Sequence, residues 1–276
     1  MNITFAKMQG LGNDFVVIDA REKKFSLTAQ QIQQMADRRT GIGFDQMLAL
    51  ESTTDDQADF VYRIFNADGG EVGQCGNGAR CMALFIHKND ISDQEKIILK
   101  TKEALISVRM VSDTLVEVDM GQPKFAPVDI PFKVDQESDS YQLMIENQAI
   151  TFYVVNVGNP HAVISVKDVT QVDLKALGNV LGSDAHFPEG VNVSVMQVLD
   201  PQHIRLRVFE RGAGETQACG SAACAAVAAG KKSGLLSERV KVEQAGGGLD
   251  VSWQGLDHSL KMIGPAVIVY CGEWVE

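Results

Sequence analysis

Short apolar runs separated by polar turns dominate the chain. Several runs alternate apolar and polar residues or are rich in Val and Ile, which is typical of β-strands. The pattern predicts strands at 59–65, 96–101, 104–110, 114–120, 150–157, 161–166, 191–198, 203–209, 238–243 and 265–271. Helical patterns are fewer, and they predict helices over 28–38 (with Thr28 as N-cap), 76–88, 170–181 and 220–232.

Two of the predicted helices have the composition of core elements. The segment 220–232, GSAACAAVAAGKK, is small and apolar on every face until Lys231. A helix that is apolar all round belongs inside a core, and small residues let a sheet approach it closely. The segment 76–88 has the same character with bulkier side chains. Many strands and few helices predict an α+β protein in which mostly antiparallel strand barrels surround these central helices.

The sequence contains an internal duplication. At an offset of 144, FNADGGEVGQCGNGA at 65–79 and FERGAGETQACGSAA at 209–223 share six identical positions, including Cys75 and Cys219. At an offset of 146, GNDFVVI at 12–18 aligns with GNPHAVI at 158–164, and Gln46 aligns with Asn192. Unrelated glycine turns do not reproduce three segments in the same order, so we predict two homologous, pseudo-symmetric halves.

The duplication also predicts the domain organisation. Gly and Pro interrupt the strand pattern near 119–124, which indicates a boundary there. We expect an N-terminal half formed by 1–119 plus 264–276, which carries Cys75. We expect a C-terminal half formed by 120–263, which carries Cys219, with the active site in the cleft between the halves.

Composition excludes several classes of function. The 276 residues are 45% hydrophobic and 22% charged, as in ordinary globular proteins, and the net charge is −11. Such a charge repels polyanions, so we expect no nucleic-acid partner and no anionic membrane surface. No apolar stretch approaches the roughly 20 residues that span a bilayer. The N-terminal sequence lacks the pattern of a secretory signal, so we expect a cytoplasmic protein with reduced cysteines.

The two repeated cysteines carry the candidate chemistry. Each follows a glycine-rich loop and opens a helix, where unpaired N–H groups and the helix dipole favour a thiolate. The N–H groups of the next two residues in each helix form an anion site that suits a carboxylate. If both cysteines approach one carbon from opposite faces, a thiolate on one side removes a proton and a thiol on the other delivers one. This predicts inversion of a carbon centre without a cofactor.

Other interpretations of the cysteines have less support. A metal site is not expected, because the spacings C-x5-C and C-x4-C are not those of zinc pairs. A redox dithiol remains an alternative, although the sequence has no C-x-x-C. Cys81, Cys224 and Cys271 are interpreted as core residues. Neither glycine-rich loop has the lysine of a phosphate-binding loop. Glu71 and Glu215, which match between the repeats, are assigned to loop or helix-cap positions.

Five segments together resemble a known family. They are GLGNDFVVID at 10–19, GFDQ at 43–46, FNADG followed by CGNGARC at 65–81, GNPHAV at 158–163 and ERGAGETQACGSAACAA at 210–226. They look like the corresponding segments of diaminopimelate epimerase. The resemblance covers most of the chain, with the segments in the same order. One departure is Ala222, where the family often has glycine. The resemblance implies interconversion of LL-2,6-diaminopimelate and meso-diaminopimelate without pyridoxal phosphate or metal, for lysine and peptidoglycan precursor synthesis.

The resemblance also implies roles for individual residues. Cys75 and Cys219 are the expected acid/base pair, with His161 and Glu210 expected to tune their pKa values. A nearby imidazolium would lower a thiol pKa, and a carboxylate would raise it. Glu210 is also expected to pair with the reacting ammonium group.

Tyr270 resembles a position at a homodimer contact. The remaining expected substrate-binding residues are Gly76, Asn77, Gly220 and Ser221 for the reacting carboxylate, Asn66, Asn159, Asn192 and Arg211 for the distal end, and Asn13 and Gln46 to complete the pocket.

Two further functions remain open from the sequence. A related two-cysteine racemase acting on proline or hydroxyproline would need a small apolar pocket, whereas Arg211 with several asparagines suits a second amino-acid head. A binding protein that keeps the fold without catalysis would be favoured if a cysteine were missing. Both cysteines are present.

Overall fold

The computed structural model describes residues 2–73, 75–145 and 148–275. The chain divides into two units, Met1–Asp119 with Ile263–Glu276 and Met120–Met262. The sequence placed residue 263 in the second half, and the structure places it in the first. The chain therefore enters the second unit within one strand and returns to the first near its C-terminus.

The first unit contains two helices, α1 (Ala29–Ala36) and α2 (Gly76–Lys88). Its strands are β1 (Asn2–Gly10), β2 (Asn13–Asp19), β3 (Gln46–Ser52), β4 (Phe60–Asn66), β5 (Glu71–Val72), β6 (Lys96–Lys100), β7 (Leu105–Met110), β8 (Leu115–Gly121, which runs into the second unit) and, after the return of the chain, β18 (Val267–Val275).

The second unit contains α3 (Leu174–Gly182) and α4 (Gly220–Lys232), with short 3-10 turns at Pro127–Asp129 and Val169–Gln171. Its strands are β9 (Tyr141–Ile145), β10 (Gln148–Asn156), β11 (Pro160–Ser165), β12 (Asn192–Asp200), β13 (His203–Glu210), β14 (Gly214–Thr216), β15 (Arg239–Gln244), β16 (Gly247–Ser252) and β17 (Leu260–Pro265, which runs back into the first unit).

The same strand pairing occurs twice. In the first unit, β1 pairs antiparallel with β2, β2 parallel with β3, β3 antiparallel with β4, and β4 antiparallel with β5 and parallel with β6. In the second unit, β10 to β15 repeat these pairings in the same order. The predicted α+β class, with pseudo-symmetric halves of mostly antiparallel strands, is confirmed.

The central helices have the predicted bounds. Residues 77–86 of α2 are all buried, and α4 is buried from Ala222 to Gly230. Strands β1, β2, β3, β7 and β18 contact α2, while β10, β11, β12, β13 and β16 contact α4. Each helix therefore lies inside its own strand barrel, as its apolar composition predicts.

Other elements differ from the prediction. The expected helix at 170–181 is a 3-10 turn followed by α3, which begins after Asp173 because that side chain accepts a hydrogen bond from the Ala176 N–H at 3.0 Å. Thr28 caps α1 as expected. The periodicity gave no prediction for β1, β2, β3, β9 or β16. In β1 a buried Lys7 interrupts the apolar pattern, and β16 begins with two glycines, which weaken a strand signal.

The strands that carry the repeated polar residues are buried on both faces. In the first unit, Val16, Met47 and Phe65 pack with α1 in one apolar cluster. Side chains alternate along a strand, so Phe15, Gln46 and Asn66, which stand opposite one another, face α2. In the second unit, Val193 and Phe209 pack against α3, which leaves His161 and Asn192 on the face toward α4. The polar residues of both repeats thus converge on the starts of the central helices.

No helix in the described part of the chain is long and apolar enough to cross a membrane.

Candidate active site

Cys75 is the N-cap residue of α2. Its backbone is extended (φ −153°, ψ 104°), and its Sγ accepts a hydrogen bond from the Gly78 N–H at 3.3 Å. The sulfur therefore occupies the capping position that a Ser or Asp oxygen usually takes. Such a position stabilises negative charge on the sulfur, because the first N–H groups of the helix point toward it.

The amide of Asn13 lies beside this sulfur. Asn13 Oδ1 is 4.0 Å from Cys75 Sγ, while its Nδ2 donates to Asp45 Oδ2 at 3.0 Å. Arg38 donates to both Asp45 and Asp14, and Asp14 also pairs with the buried Lys7 at 2.7 Å. This ion-pair network fixes the orientation of Asn13, since the bond to Asp45 uses the amide nitrogen.

The remaining polar residues of the first unit line the same face. Gln46 Nε2 donates to Asn66 Oδ1 at 2.9 Å, and Asn77 is buried in the first turn of α2. The hydroxyl of Tyr62 donates to the Cys75 carbonyl at 3.4 Å. A Cβ at position 78 would lie 2.3 Å from that hydroxyl, so only glycine permits this approach. Tyr62 and Gly78 together hold the start of α2 against β4.

Cys219 is the N-cap residue of α4, the equivalent position in the second unit. Its sulfur lacks the well-formed capping hydrogen bond of Cys75, although the Ala222 N–H faces it and acts to lower the pKa of the thiol. The thiol instead donates to Glu210 Oε2 at 3.2 Å, and Ser221 Oγ lies 3.4 Å from the sulfur. Gln244 holds the peptide, accepting from the Cys219 N–H at 2.9 Å and donating to its carbonyl at 3.4 Å. The sulfur is thus held between a carboxylate and a hydroxyl.

The surroundings of Cys219 favour the neutral thiol. Burial raises its pKa well above the ordinary value, and the charge of Glu210 raises it further. The Ser221 hydroxyl opposes this, because it can donate to the sulfur when the proton has left. The thiol therefore donates to Glu210 and the thiolate accepts from Ser221, so each protonation state has a hydrogen-bond partner.

His161 lies in the same cluster as a neutral imidazole. Its Nε2 is 2.8 Å from Asn159 Oδ1 and 3.1 Å from Ser221 Oγ. Because it is fully buried and Arg211 adds positive charge, its pKa falls to about 3. The sequence-based argument for an imidazolium that lowers a thiol pKa therefore does not apply in this structure. The imidazole instead forms hydrogen bonds with Asn159 and Ser221.

Asn192 and Arg211 are joined through the backbone. Asn192 donates to the Pro160 carbonyl at 3.1 Å and accepts from the Arg211 N–H at 2.9 Å. The Arg211 guanidinium is exposed and donates to the Glu189 carbonyl at 2.6 Å. Gly190 has φ +72°, and a Cβ there would lie 3.1 Å from Arg211 Cδ. Asn192 thus holds the Arg211 backbone and Gly190 leaves room for the Arg211 side chain, and this role for Gly190 was missed from the sequence.

The halves differ chemically at matched positions. At the offset of 146, Phe15 corresponds to His161, and at the offset of 144, Asn66 corresponds to Glu210. The first half therefore presents an aromatic ring and an amide where the second presents an imidazole and a carboxylate. The duplication has kept the cysteines and changed their surroundings.

The other cysteines are in different environments. Cys81 and Cys224 are fully buried within α2 and α4, as expected, and burial raises the pKa of Cys81 to about 12. Cys271 was expected in the core, but it is exposed on β18. Cys271 lies within the predicted strand 265–271, but most side chains of β18 are exposed, so its apolar composition does not indicate burial.

Comparison with known proteins shows the family of the chain. The model of a family described as Diaminopimelate epimerase matches residues 5–126 and 153–269. A Coxiella burnetii protein (strain RSA 493 / Nine Mile phase I) named Diaminopimelate epimerase is 52% identical over 276 residues, which cover 100% of both chains. The chain belongs to the diaminopimelate epimerase family. It is therefore an isomerase, and within that class an epimerase.

Solved structures with little sequence identity to this chain share its fold. A hydroxyproline epimerase from Agrobacterium vitis has a TM-score of 0.70 at 14% identity, covering 99% of this chain and 92% of its own. A probable proline racemase from Agrobacterium radiobacter K84 has a TM-score of 0.73 at 12% identity, covering 99% and 93%. These similarities establish the two-domain epimerase fold.

One interpretation of the motif residues is wrong. Glu71 and Glu215 are neither loop nor helix-cap residues. Glu71 pairs with Arg63 at 2.8 Å, and Glu215 pairs with Arg207 at 2.8 Å, each between neighbouring strands. The two arginines are also related by the offset of 144, so the repeat carries the same ion pair twice.

Proposed function

We propose that the chain interconverts LL-2,6-diaminopimelate and meso-diaminopimelate by proton transfer at one carbon between Cys75 and Cys219, without a cofactor. The observation that carries this proposal is the placement of both cysteines as N-cap residues of equivalent central helices. Membership in the family supports the choice of substrate, because the matched Coxiella protein bears that name.

The two sulfurs begin the reaction in different states. Cys75 Sγ accepts the Gly78 N–H, so we assign it the thiolate that removes the α-proton. Cys219 donates to Glu210, so we assign it the thiol that protonates the opposite face of the planar intermediate. After one turnover the assignments are exchanged, and the reverse reaction uses the same groups. Ser221 then stabilises the new thiolate at Cys219.

The helix starts provide binding groups for the reacting end. We propose that the N–H groups of Gly76 and Asn77, and those of Gly220 and Ser221, hold the carboxylate as negative charge develops on it. Glu210 then pairs with the ammonium group through an oxygen that also faces Cys219.

The distal amino-acid end needs a different set of groups. We assign its carboxylate to the exposed guanidinium of Arg211, whose planar fork suits that group. The amides that hold the distal end in this proposal are Asn66, Asn159 and Asn192, while Asn13 and Gln46 complete the pocket. A charged distal end fits such a lining, whereas proline has none.

Chiral analysis tests the proposal directly. Purified protein incubated with LL-diaminopimelate and no added cofactor should yield the meso isomer, and in D2O the product should carry deuterium at the inverted carbon. Cys75→Ala and Cys219→Ala should each abolish conversion. Cys81→Ala and Cys224→Ala are matched controls in the same helices and should retain most activity. Conversion without deuterium, or activity in either N-cap variant, would overturn the mechanism.

The biological setting follows from the proposed reaction. We propose a role in lysine and peptidoglycan precursor synthesis, in the cytoplasm, where thiols stay reduced.

We also propose a homodimer through β18, which exposes Tyr270 and Val269. Tyr270 packs edge-on against Phe5, with the ring centroids 6.0 Å apart, which fixes its orientation on that face.

A further inference from the structure

Thr216 is bonded to the carboxylate that faces Cys219. It lies in β14, directly opposite Val208 of β13, and its Oγ1 donates to Glu210 Oε1. The other carboxylate oxygen, Oε2, is the one 3.2 Å from Cys219 Sγ. The threonine hydroxyl and the thiol therefore donate hydrogen bonds to different oxygens of the same carboxylate.

The first repeat provides an internal comparison. At the offset of 144, Thr216 corresponds to Val72 and Glu210 to Asn66. Val72 stands opposite Ile64 in the same register as Thr216 opposite Val208. The hairpin therefore forms with valine at this position, and the hydroxyl occurs in the half that has the carboxylate.

We propose that Thr216 is a positioning residue for the epimerase reaction, because its hydroxyl fixes the rotation of the Glu210 carboxylate and keeps Oε2 against the thiol of Cys219. The terminal torsion of a glutamate is broad, so a carboxylate without this bond samples orientations that withdraw Oε2 from the sulfur. A hydrogen bond to an ionised acceptor is among the stronger kinds and is directional. Thr216 acts through Glu210, and this inference rests on the proposed function of Cys219.

Two substitutions of Thr216 distinguish a positioning role of its hydroxyl from a purely structural role. Thr216→Val removes the hydroxyl and installs the residue that the first repeat carries. Thr216→Ser keeps the hydroxyl. We expect Thr216→Val to unfold at the wild-type denaturant midpoint, with kcat reduced about tenfold, the loss that one such hydrogen bond implies. KM should rise as well, because the displaced Oε2 is also the oxygen proposed to pair with the substrate's ammonium group. Thr216→Ser should restore kcat to within about threefold. Thr151→Val, at a threonine bonded to Gln142, is the control for the substitution itself and should match the wild type.

A substrate-free measurement completes the test. The rate of Cys219 alkylation by iodoacetamide, followed by peptide mass spectrometry across pH, reports how readily the thiolate forms. In Thr216→Val the profile should shift to lower pH, because the carboxylate is no longer held against the sulfur. This result would support the inference even if the wild type failed to epimerise diaminopimelate. An unshifted profile would overturn it, as would wild-type kcat in Thr216→Val or a serine variant as defective as the valine variant.

Discussion

Cys219 and Glu210 form a thiol–carboxylate hydrogen bond in which the sulfur and Oε2 are 3.2 Å apart. A carboxylate beside a buried thiol opposes ionisation, so this pair keeps a proton available on one side of the proposed reaction. The equivalent residue in the first unit, Asn66, is neutral and instead accepts a hydrogen bond from Gln46. In the proposed reaction, this difference is the reason that Cys219 carries the proton while Cys75 is the base.

Glu210→Gln should make Cys219 ionise more readily. The neutral amide removes the charge that raises the pKa of the thiol, so the pH profile of Cys219 alkylation should move to lower pH. Turnover should fall by about tenfold or more, because the variant loses a charged partner of both the thiol and the substrate's ammonium group. Glu215→Gln, in the same hairpin, changes a carboxylate that pairs with Arg207 and should leave the profile unchanged. A Glu210→Gln profile identical to the wild type would contradict the assignment.

Asp14→Asn should lower stability in a pH-dependent manner. Burial alone would raise the pKa of Asp14, but the hydrogen bonds from Arg38 and Lys7 outweigh it and hold the pKa below the ordinary value. The wild-type carboxylate therefore stabilises the fold above its unfolded pKa of about 3.9, and that contribution is lost as pH falls through the lower folded value. We expect a deficit of about 2 kcal/mol at pH 7, from urea unfolding, that shrinks below about pH 4.

Asp19→Asn is the control for this charge removal. Asp19 pairs with Arg21 at 2.7 Å, but both side chains are more exposed than that of Asp14. Exposed pairs contribute about 1 kcal/mol or less, so this variant should lose less stability at pH 7. Equal losses in the two variants would refute the importance of the Asp14 network.

Gly78→Ala should destabilise the first unit through contact with Tyr62. The new Cβ would lie 2.3 Å from the Tyr62 hydroxyl, inside a fully buried region. We expect a loss of about 2 kcal/mol, typical of overpacking. Tyr62→Phe removes the clashing oxygen, so the double variant should be more stable than the sum of the single changes predicts, as measured by a double-mutant cycle. Strict additivity would show that the clash is relieved in another way.

Tyr270→Glu should disrupt the proposed homodimer. Tyr270 is 46% exposed on β18, and a charge there would oppose association through that strand. Light scattering coupled to size exclusion should give a dimeric mass for the wild type and a monomeric mass for the variant at the same concentration. Met144→Glu, at an exposed residue of β9, should remain dimeric. A monomeric wild type, or a dimeric Tyr270→Glu, would remove β18 from the interface.

The sequence predicted the elements that carry the cysteines better than it predicted their surroundings. Apolar composition defines α4 without reference to any partner, so its bounds were correct. The Thr216–Glu210 bond depends instead on the register of a short hairpin, and the Tyr62–Gly78 approach depends on how closely a strand packs on a helix. Neither relationship has a local sequence signal. The low pKa of His161 also has no local sequence signal, because complete burial is a property of the assembled sheet.

Lys7 illustrates a further limit of sequence reading. A lysine in the middle of a strand normally indicates a solvent-facing position. Here it is 8% exposed, and its ammonium donates to Asp14 and to the Gly43 carbonyl. Two acceptors from other segments make its burial possible, and their proximity arises from the parallel pairing of β2 with β3.

The unlike residues at positions 66 and 210 limit how this architecture can be re-engineered. A chimera built from two copies of the second repeat would place a carboxylate beside each sulfur, and both thiols would resist ionisation. A chimera built from two copies of the first would lack any carboxylate to retain a proton. We expect both chimeras to turn over more slowly than the wild type even if they fold, because neither would pair one sulfur with a carboxylate and the other with an amide.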